Sequence, residues 1–297
     1  MNDIGIISAP SILGLRPSGV ELLADRLLEA GLAESTGTPY LVQQVPTLNA
    51  QYSHKRDAQT NCLNPIALRD FSLQLSQVVS DRLGQQRFPL VLGGDCSILL
   101  GIMPALRSMG NYGLVFLDAH ADFYEPERST TGEVADMDLA IVTGRGPELL
   151  TNINGLNPYV RDELVVHIGQ RDWEETQYYE SQDIRETTIA CFDLAYIEQK
   201  GIVATTTEVI QHINGLQTDG FWIHFDTDVL SDDLNPAVDY RIPGGLQYEQ
   251  TAYLISHLLS TGKIAGMSVT IYNPALDPNG KVAKNLVDTI GTVLSGL

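Results

Sequence analysis

The chain has 297 residues, 43% of them hydrophobic and 19% charged, a composition that excludes a disordered chain and leaves ample length for a core. Lys and Arg total 18 against 37 Asp and Glu, a formal net charge of −19, which disfavours nucleic acid and anionic membrane as partners and favours metal ions, amines, guanidinium groups or basic peptides. Three scattered cysteines, Cys62, Cys96 and Cys191, make no disulfide framework. Met1-Asn2-Asp3-Ile4 lacks the features of a signal peptide, and no uncharged apolar stretch approaches the ~20 residues that cross a bilayer, so a soluble cytoplasmic protein is expected.

In chain order, a strand is predicted over 4–8, then helical stretches over 20–30 and 65–83, a strand over 90–92 and a helix over 97–108. Strands follow at 113–117, 164–168 and 189–192, a helix at 202–212, a strand at 221–225, a helix at 248–260, a strand at 264–271 and a helix at 282–294. Most of the strand runs are continuously apolar, as a parallel sheet covered on both faces requires, so an α/β, doubly wound fold is expected. No linker, repeat or composition shift divides the chain, which predicts a single domain over 1–297. Two Gly- and Pro-bearing loops, 124–145 and 231–246, directly follow predicted strands, where ligands of such sheets bind.

The segment Leu117-Asp118-Ala119-His120-Ala121-Asp122 runs straight out of the strand at 113–117. Residues two apart in extended chain share a face, so two carboxylates and an imidazole can converge, with alanines keeping the other face small. Phe221-Trp222-Ile223-His224-Phe225-Asp226-Thr227-Asp228 repeats the pattern with Asp226 and Asp228. One Asp-x-Asp by itself reads as a helix cap or loop turn. Two sets in one chain leave carboxylates crowded at strand ends, where desolvation and repulsion are costly unless a multivalent cation joins them. Carboxylates with few imidazoles suit Mn²⁺ or Mg²⁺ better than a Cys/His zinc site. Leu90-Val91-Leu92-Gly93-Gly94-Asp95-Cys96-Ser97 is a third element, a strand, a glycine turn and a helix start. It is no P-loop, since no Gly-Lys-Ser/Thr follows, and Cys96 taken alone reads as a buried apolar residue.

Gly93-Gly94-Asp95-Cys96-Ser97, Asp118 to Asp122 and His224 to Asp228 together resemble the three metal-binding motifs of the ureohydrolases, the family of arginase, agmatinase and related amidinohydrolases. Gly19-Val20-Glu21, Glu29-Ala30-Gly31-Leu32, His167-Ile168-Gly169, Arg171-Asp172, Pro243-Gly244-Gly245-Leu246 and Asn273-Pro274 extend the resemblance over most of the chain. The resemblance implies an arginase-like three-layer α/β/α sandwich with a largely parallel eight-stranded sheet, a trimeric or hexameric assembly, and two manganese ions that make water nucleophilic. Carried over by position, one ion takes Cys96, Asp118, Asp122 and Asp226, and the other His120, Asp118, Asp226 and Asp228. The implied reaction attacks the guanidinium carbon and releases urea and an ornithine-type amine, with Asp122 as the catalytic residue that relays a proton.

Three positions depart from the family pattern. Cys96 stands where a histidine is usual, a softer ligand that matches manganese less well and can leave that position weak, empty or filled by another ion. Ala135 takes the place of a histidine near the substrate, and Ile271 that of a glutamate that grips the guanidinium. Asp136, Asp138 or Glu133 either supplies the missing charge or forms a solvated loop face. Tyr124 and Glu133 stand where arginases offer short neutral side chains to the arginine carboxylate, which implies a substrate without one. The expected substrate-binding set is Tyr124, Glu133, Asp136, Asp138 and Glu174, and the favoured substrate is peptidyl arginine, as for peptide arginases. Agmatine or another small guanidine compound, including hydroxyarginine, is the alternative, and a catalytically silent binding or regulatory subunit is a third reading.

The remaining features read as structure. Gly144-Arg145-Gly146-Pro147 lacks the strand context of a dinucleotide fingerprint, His167 reads as a satisfied core histidine, and Asp232-Asp233 as a loop cap or solvated turn near the site. Arg241 lies in a loop short enough to reach the mouth of the site.

Overall fold

The computed structural model of the chain describes residues 3–37, 42–46 and 51–297; Met1 and Asn2, quoted above for the chain start, lie outside them. Eight strands form among these residues: β1 (Ile4–Ser8), β2 (Gln43–Gln44), β3 (Phe88–Leu92), β4 (Tyr112–Leu117), β5 (Val165–Ile168), β6 (Ala190–Phe192), β7 (Gly220–Asp226) and β8 (Ile264–Thr270). Seven coincide with the predicted runs to within a residue or two. β2 was not expected: it is two glutamines long, sits at the sheet edge beside β1, and carries no apolar run to announce it.

The strands join in the order β2-β1-β3-β8-β7-β4-β5-β6, and every pair is parallel. Strand alternation divides the apolar side chains between two faces. Leu92, Val269, Phe225 and Leu117 pack with the helices Leu23–Glu29, Tyr248–Leu259 and Lys281–Leu294. Val91, Trp222, Leu114 and Phe116 pack with the helices Pro65–Gly84 and Leu99–Met109. The result is the three-layer α/β/α sandwich. Full burial of one such side chain contributes about 1.5–3 kcal/mol, so the two-sided burial is what holds the sheet. No helix among the described residues is long and apolar enough to cross a membrane.

The helices differ from expectation mainly at their starts. Cys96–Ile98 is a 3₁₀ turn that leads into Leu99–Met109, and Asp95 caps it by accepting the Ser97 N–H at 2.9 Å. The loop at 124–145 is partly ordered into a 3₁₀ turn, Val134–Asp136, and a helix, Asp138–Val142. β8 stops at Thr270, one residue short of the predicted end, because Ile271 turns away with φ 69°, a region a β-branched residue seldom occupies.

Register explains where a site can form. Leu92, Val269, Phe225 and Leu117 stand side by side across β3, β8, β7 and β4. Since all four strands run the same way, the next residues, Gly93, Thr270, Asp226 and Asp118, emerge together at one edge. The β3 exit is sterically tight: a Cβ on Gly94 would lie 1.8 Å from the Ser11 carbonyl oxygen. Gly94→Ala is therefore expected to cost about 1–3 kcal/mol, the usual range for overpacking, read as a lower denaturation midpoint. Gly84→Ala, whose Cβ meets nothing within 4 Å, serves as control and leaves the midpoint equal or higher.

Candidate metal centre and substrate cavity

The four central strands deliver side chains to one largely buried pocket at their carboxyl ends. From β4, Asp118 is fully buried; its Oδ1 accepts the His120 backbone N–H at 2.6 Å, and its Oδ2 has no hydrogen-bond partner. From β7, Asp226 Oδ1 accepts the Asp228 N–H at 2.8 Å, and Asp226 Oδ2 lies 2.7 Å from Cys96 Sγ. Asp228 Oδ1 accepts the Ala119 N–H at 3.1 Å, while its Oδ2 sits 2.9 Å from His120 Nδ1. His167 Nε2, from the neighbouring β5, meets the His120 carbonyl at 2.8 Å and fixes the backbone of the motif, but its Nδ1 is buried without a partner, so the core histidine expected to be satisfied is satisfied at one nitrogen only. Arg171 holds the chain after β7 by donating to the carbonyls of Asp228 at 2.7 Å and Leu230 at 3.2 Å.

Two groups of possible ligands result, each with its ligand atoms within 4.8 Å of one another: Cys96, Asp118, His224 and Asp226, and Asp118, His120 and Asp228. Asp118 belongs to both, as its expected bridging place requires. Asp226 falls in the first group only. Asp122 is brought into neither; it takes a left-handed turn at φ 47° and shares a hydrogen bond with Asp138. His224, quoted in the motif without a role, joins the first group.

Electrostatics show why such a pocket calls for a cation. Burial raises the Asp118 carboxyl to about 7, with Asp228 adding to the effect, and burial pushes Asp226 well above its ordinary range with help from Asp228 and Asp118. Burial opposes a charged His120, yet Asp228 and Asp118 together hold its pKa well above the ordinary value. Cys96 is raised by burial first and then by the surrounding carboxylates. The orphaned Asp118 oxygen and this donor set fit divalent cations, which supply positive charge beyond the single imidazole of His120.

A cavity of about 400 Å³ opens above these groups. Tyr124 and Asp136 line it, as expected, and so do Ala135 and Ile271. Other expected substrate contacts fall elsewhere. Glu174 is exposed on the helix Trp173–Tyr178 and does not line the cavity; its neighbour Glu175 does, because buried Asp172 and Thr176 set the helix register. Glu133 is fully buried and turned away, 2.9 Å from Arg16 Nε, with the Tyr240 hydroxyl donating to it at 2.8 Å. Asp138 is buried behind Asp122 and also outside the lining. Thus neither Glu133 nor Asp138 is a solvated loop acid, and neither faces substrate. Asp232, read as a loop cap, pairs with Arg241, which reaches the mouth as predicted. Tyr240, Asp239 and Tyr179 complete the rim without having been anticipated. Their only advance signal was a position in a loop or helix after a strand.

Residues 2–295 match the Arginase family profile. The chain is 32% identical over 296 residues to an arginase of Staphylococcus aureus (strain COL), covering 97% of this chain and 96% of that protein. It is 34% identical over 293 residues to an arginase of Brevibacillus brevis, covering 98% and 97%. The solved native arginase of Bacillus caldovelox matches it with a TM-score of 0.88 at 29% identity, over 99% of this chain and 98% of that one. With the three motifs converging at the carboxyl ends of one parallel sheet and the match running almost end to end, the chain belongs to the arginase family, hydrolases acting on guanidino carbon–nitrogen bonds.

Proposed function

We propose that this amidinohydrolase acts on the guanidino group of peptidyl arginine, leaving a peptidyl ornithine and urea. The observation that carries this reading is the mouth of the cavity, where acids outnumber bases and no base stands unpaired. Asp136, Glu175 and Asp239 line it, while Arg241 is engaged by Asp232. Two of the loop hydroxyls that border it are engaged within their own loop: Thr131 Oγ1 donates to Asp136 Oδ2 at 2.9 Å, and Ser129 Oγ accepts the Gly132 N–H at 2.9 Å, which leaves the exposed Thr130 hydroxyl free to meet a ligand there. A free α-carboxylate finds repulsion there, whereas a guanidinium on a neutral or basic peptide finds attraction. This support replaces the earlier one from Glu133, which Arg16 and Tyr240 neutralise away from the cavity.

Asp118, Asp226, His120 and Asp228 would hold manganese, the family's ion, with Cys96 beside them as a softer donor that suits it less well. When bound, such ions supply Lewis acidity and lower the pKa of water to near neutrality. The chain's own residues do the rest. Asp136 lies on the cavity wall where a guanidinium enters, and takes the charge-pairing part that Ile271 cannot. Asp122 is buried at the cavity floor, and burial first, then Asp118 and Asp138, push its pKa well above the ordinary range, so it can hold a proton and pass it to the leaving amine. Leu15, Ala135 and Ile271 supply the apolar wall that limits water.

A second reading, free arginine, rests on Arg241: its pair with Asp232 is exposed, and such pairs re-form readily with a substrate carboxylate. Urea release by the manganese-loaded protein decides between them. An end-blocked arginine peptide is expected to yield urea faster than free arginine, agmatine or hydroxyarginine. Preference for a small substrate discards the peptide reading and keeps the hydrolase, whereas no urea from any of them favours the silent-subunit reading.

Asp122→Asn is expected to lower the rate of urea release by about 10²–10⁴ while the fold persists by circular dichroism. Undiminished turnover removes the proton-relay role. A further expectation concerns the metal-free protein. Asp118 and Asp136 titrate at about 7 and Asp95 at about 6, all raised by burial above 3.8. A folded pKa above the unfolded one means that the native state holds the extra protons. These groups therefore favour the fold below about 4, and that contribution is lost as pH rises to about 7. The melting temperature of the stripped protein should fall across this window and recover above pH 7 on adding Mn²⁺. A melting temperature indifferent to metal there contradicts the cation-binding role.

A further inference from the structure

Directly below the row of Asp118, Asp226 and Thr270, one step and then another back along the strands, the sheet carries Leu117, Phe225 and Val269 and then Phe116, His224 and Ser268. Alternation turns the Phe116–His224–Ser268 row to the same face as the carboxylates. His224 is fully buried and stacks on Phe116 with ring centroids 4.9 Å apart. Its Nδ1 lies 3.0 Å from Ser268 Oγ, which also accepts the Trp222 indole N–H at 3.0 Å. Its Nε2 lies 3.4 Å from Thr270 Oγ1, itself 3.2 Å from Cys96 Sγ. A purely structural histidine is satisfied by Ser268 and Thr270. That role does not account for the thiol and two carboxylates whose ligand atoms gather within 4.8 Å of the same ring, nor for the buried Asp118 oxygen left without a partner.

We propose that Cys96, Asp118, His224 and Asp226 form a site for a borderline transition-metal ion, zinc by its chemistry, with a donor set distinct from the harder Asp118–His120–Asp228 group beside it. A thiolate, an imidazole and carboxylates are the mixture that four-coordinate zinc accepts, whereas carboxylate-rich groups suit manganese. The imidazole that the family places at position 96 is thereby supplied from inside β7. On binding, the Cys96 thiol gives its proton to solvent, His224 Nε2 turns its lone pair to the ion, and Nδ1–H donates to Ser268 Oγ, which fixes ring and tautomer. The two groups then prefer different ions, joined through Asp118. This inference concerns metal content and stands whether or not the chain hydrolyses peptides.

The test uses the metal-stripped full chain loaded with one equivalent of Zn²⁺ and read by X-ray absorption at the zinc edge. Sulfur and imidazole in one zinc shell are expected, and because His120 belongs to the other group, the imidazole beside sulfur is that of His224. His224→Gln is expected to keep the sulfur, lose the imidazole and weaken zinc binding roughly 100-fold, the upper end of the loss for removing even an outer-shell partner. A wild-type shell with sulfur but no imidazole overturns the proposal without any variant. So does an unchanged zinc affinity in a folded His224→Gln protein, or displacement of the sulfur-bound zinc by equimolar Mn²⁺.

Discussion

Carboxylates that leave the ends of buried parallel strands cannot all remain ionised in a largely buried pocket unless positive charge joins them. Asp118, Asp226 and Asp228 are held there by the register of β4 and β7, and the backbone N–H groups that meet them satisfy only part of their charge. His120 compensates Asp228 at 2.9 Å and Asp118 more loosely at 3.5 Å from within the chain, while Asp226 is left to find compensation elsewhere. The neighbouring features follow from this tension. Asp95 caps the turn that brings Cys96 in, His167 pins the His120 backbone, and Arg171 ties down the segment after β7. Each fixes a ligand by bonding to main chain near it, and so leaves the ligand atoms free.

Much of this was legible in the sequence because it depends on short-range spacing. Asp118 and His120, or Asp226 and Asp228, lie two apart after an apolar run, and in a strand exit that spacing alone puts them on one side. The continuous apolar runs announced two-sided burial and hence parallel pairing, which the structure carries through every strand pair. What the sequence did not disclose depends on contacts between distant segments. Nothing local in Glu133 says that Arg16 and Tyr240 will enclose it, 117 and 107 positions away. Glu174 and Glu175 differ only by helix register, which is set by which neighbours pack inward. β2 has two polar residues and exists only because β1 offers it an edge. His224 was visible as a residue, but its proximity to Cys96 depends on the pairing of β7 with β8 and on the glycine turn after β3.

The departures from the family pattern hang together when placed on the sheet. The positions at which this chain lacks a family histidine or glutamate, Cys96, Ala135 and Ile271, pack in one small cluster with Leu15 and Val238 beside the cavity. Apolar side chains at three places in one cluster avoid leaving a polar group there buried without its partner, a penalty of about 1–3 kcal/mol for a group so stranded. The wall so formed is apolar, and of the acids around the cavity Asp122 and Asp136 come from the loop after β4.

The enclosure of Glu133 has a consequence for motion. Arg16, Glu133 and Tyr240 belong to three segments that are remote in the chain and meet beside the cavity. The buried carboxylate takes the Tyr240 hydroxyl on one oxygen and the exposed Arg16 side chain on the other, so it links those segments, and drawing Tyr240 away would leave it with an exposed arginine as its partner. The order of the rim is thus bound up with one buried acid, and removing that acid would free an arginine and a tyrosine from two distant parts of the chain at once.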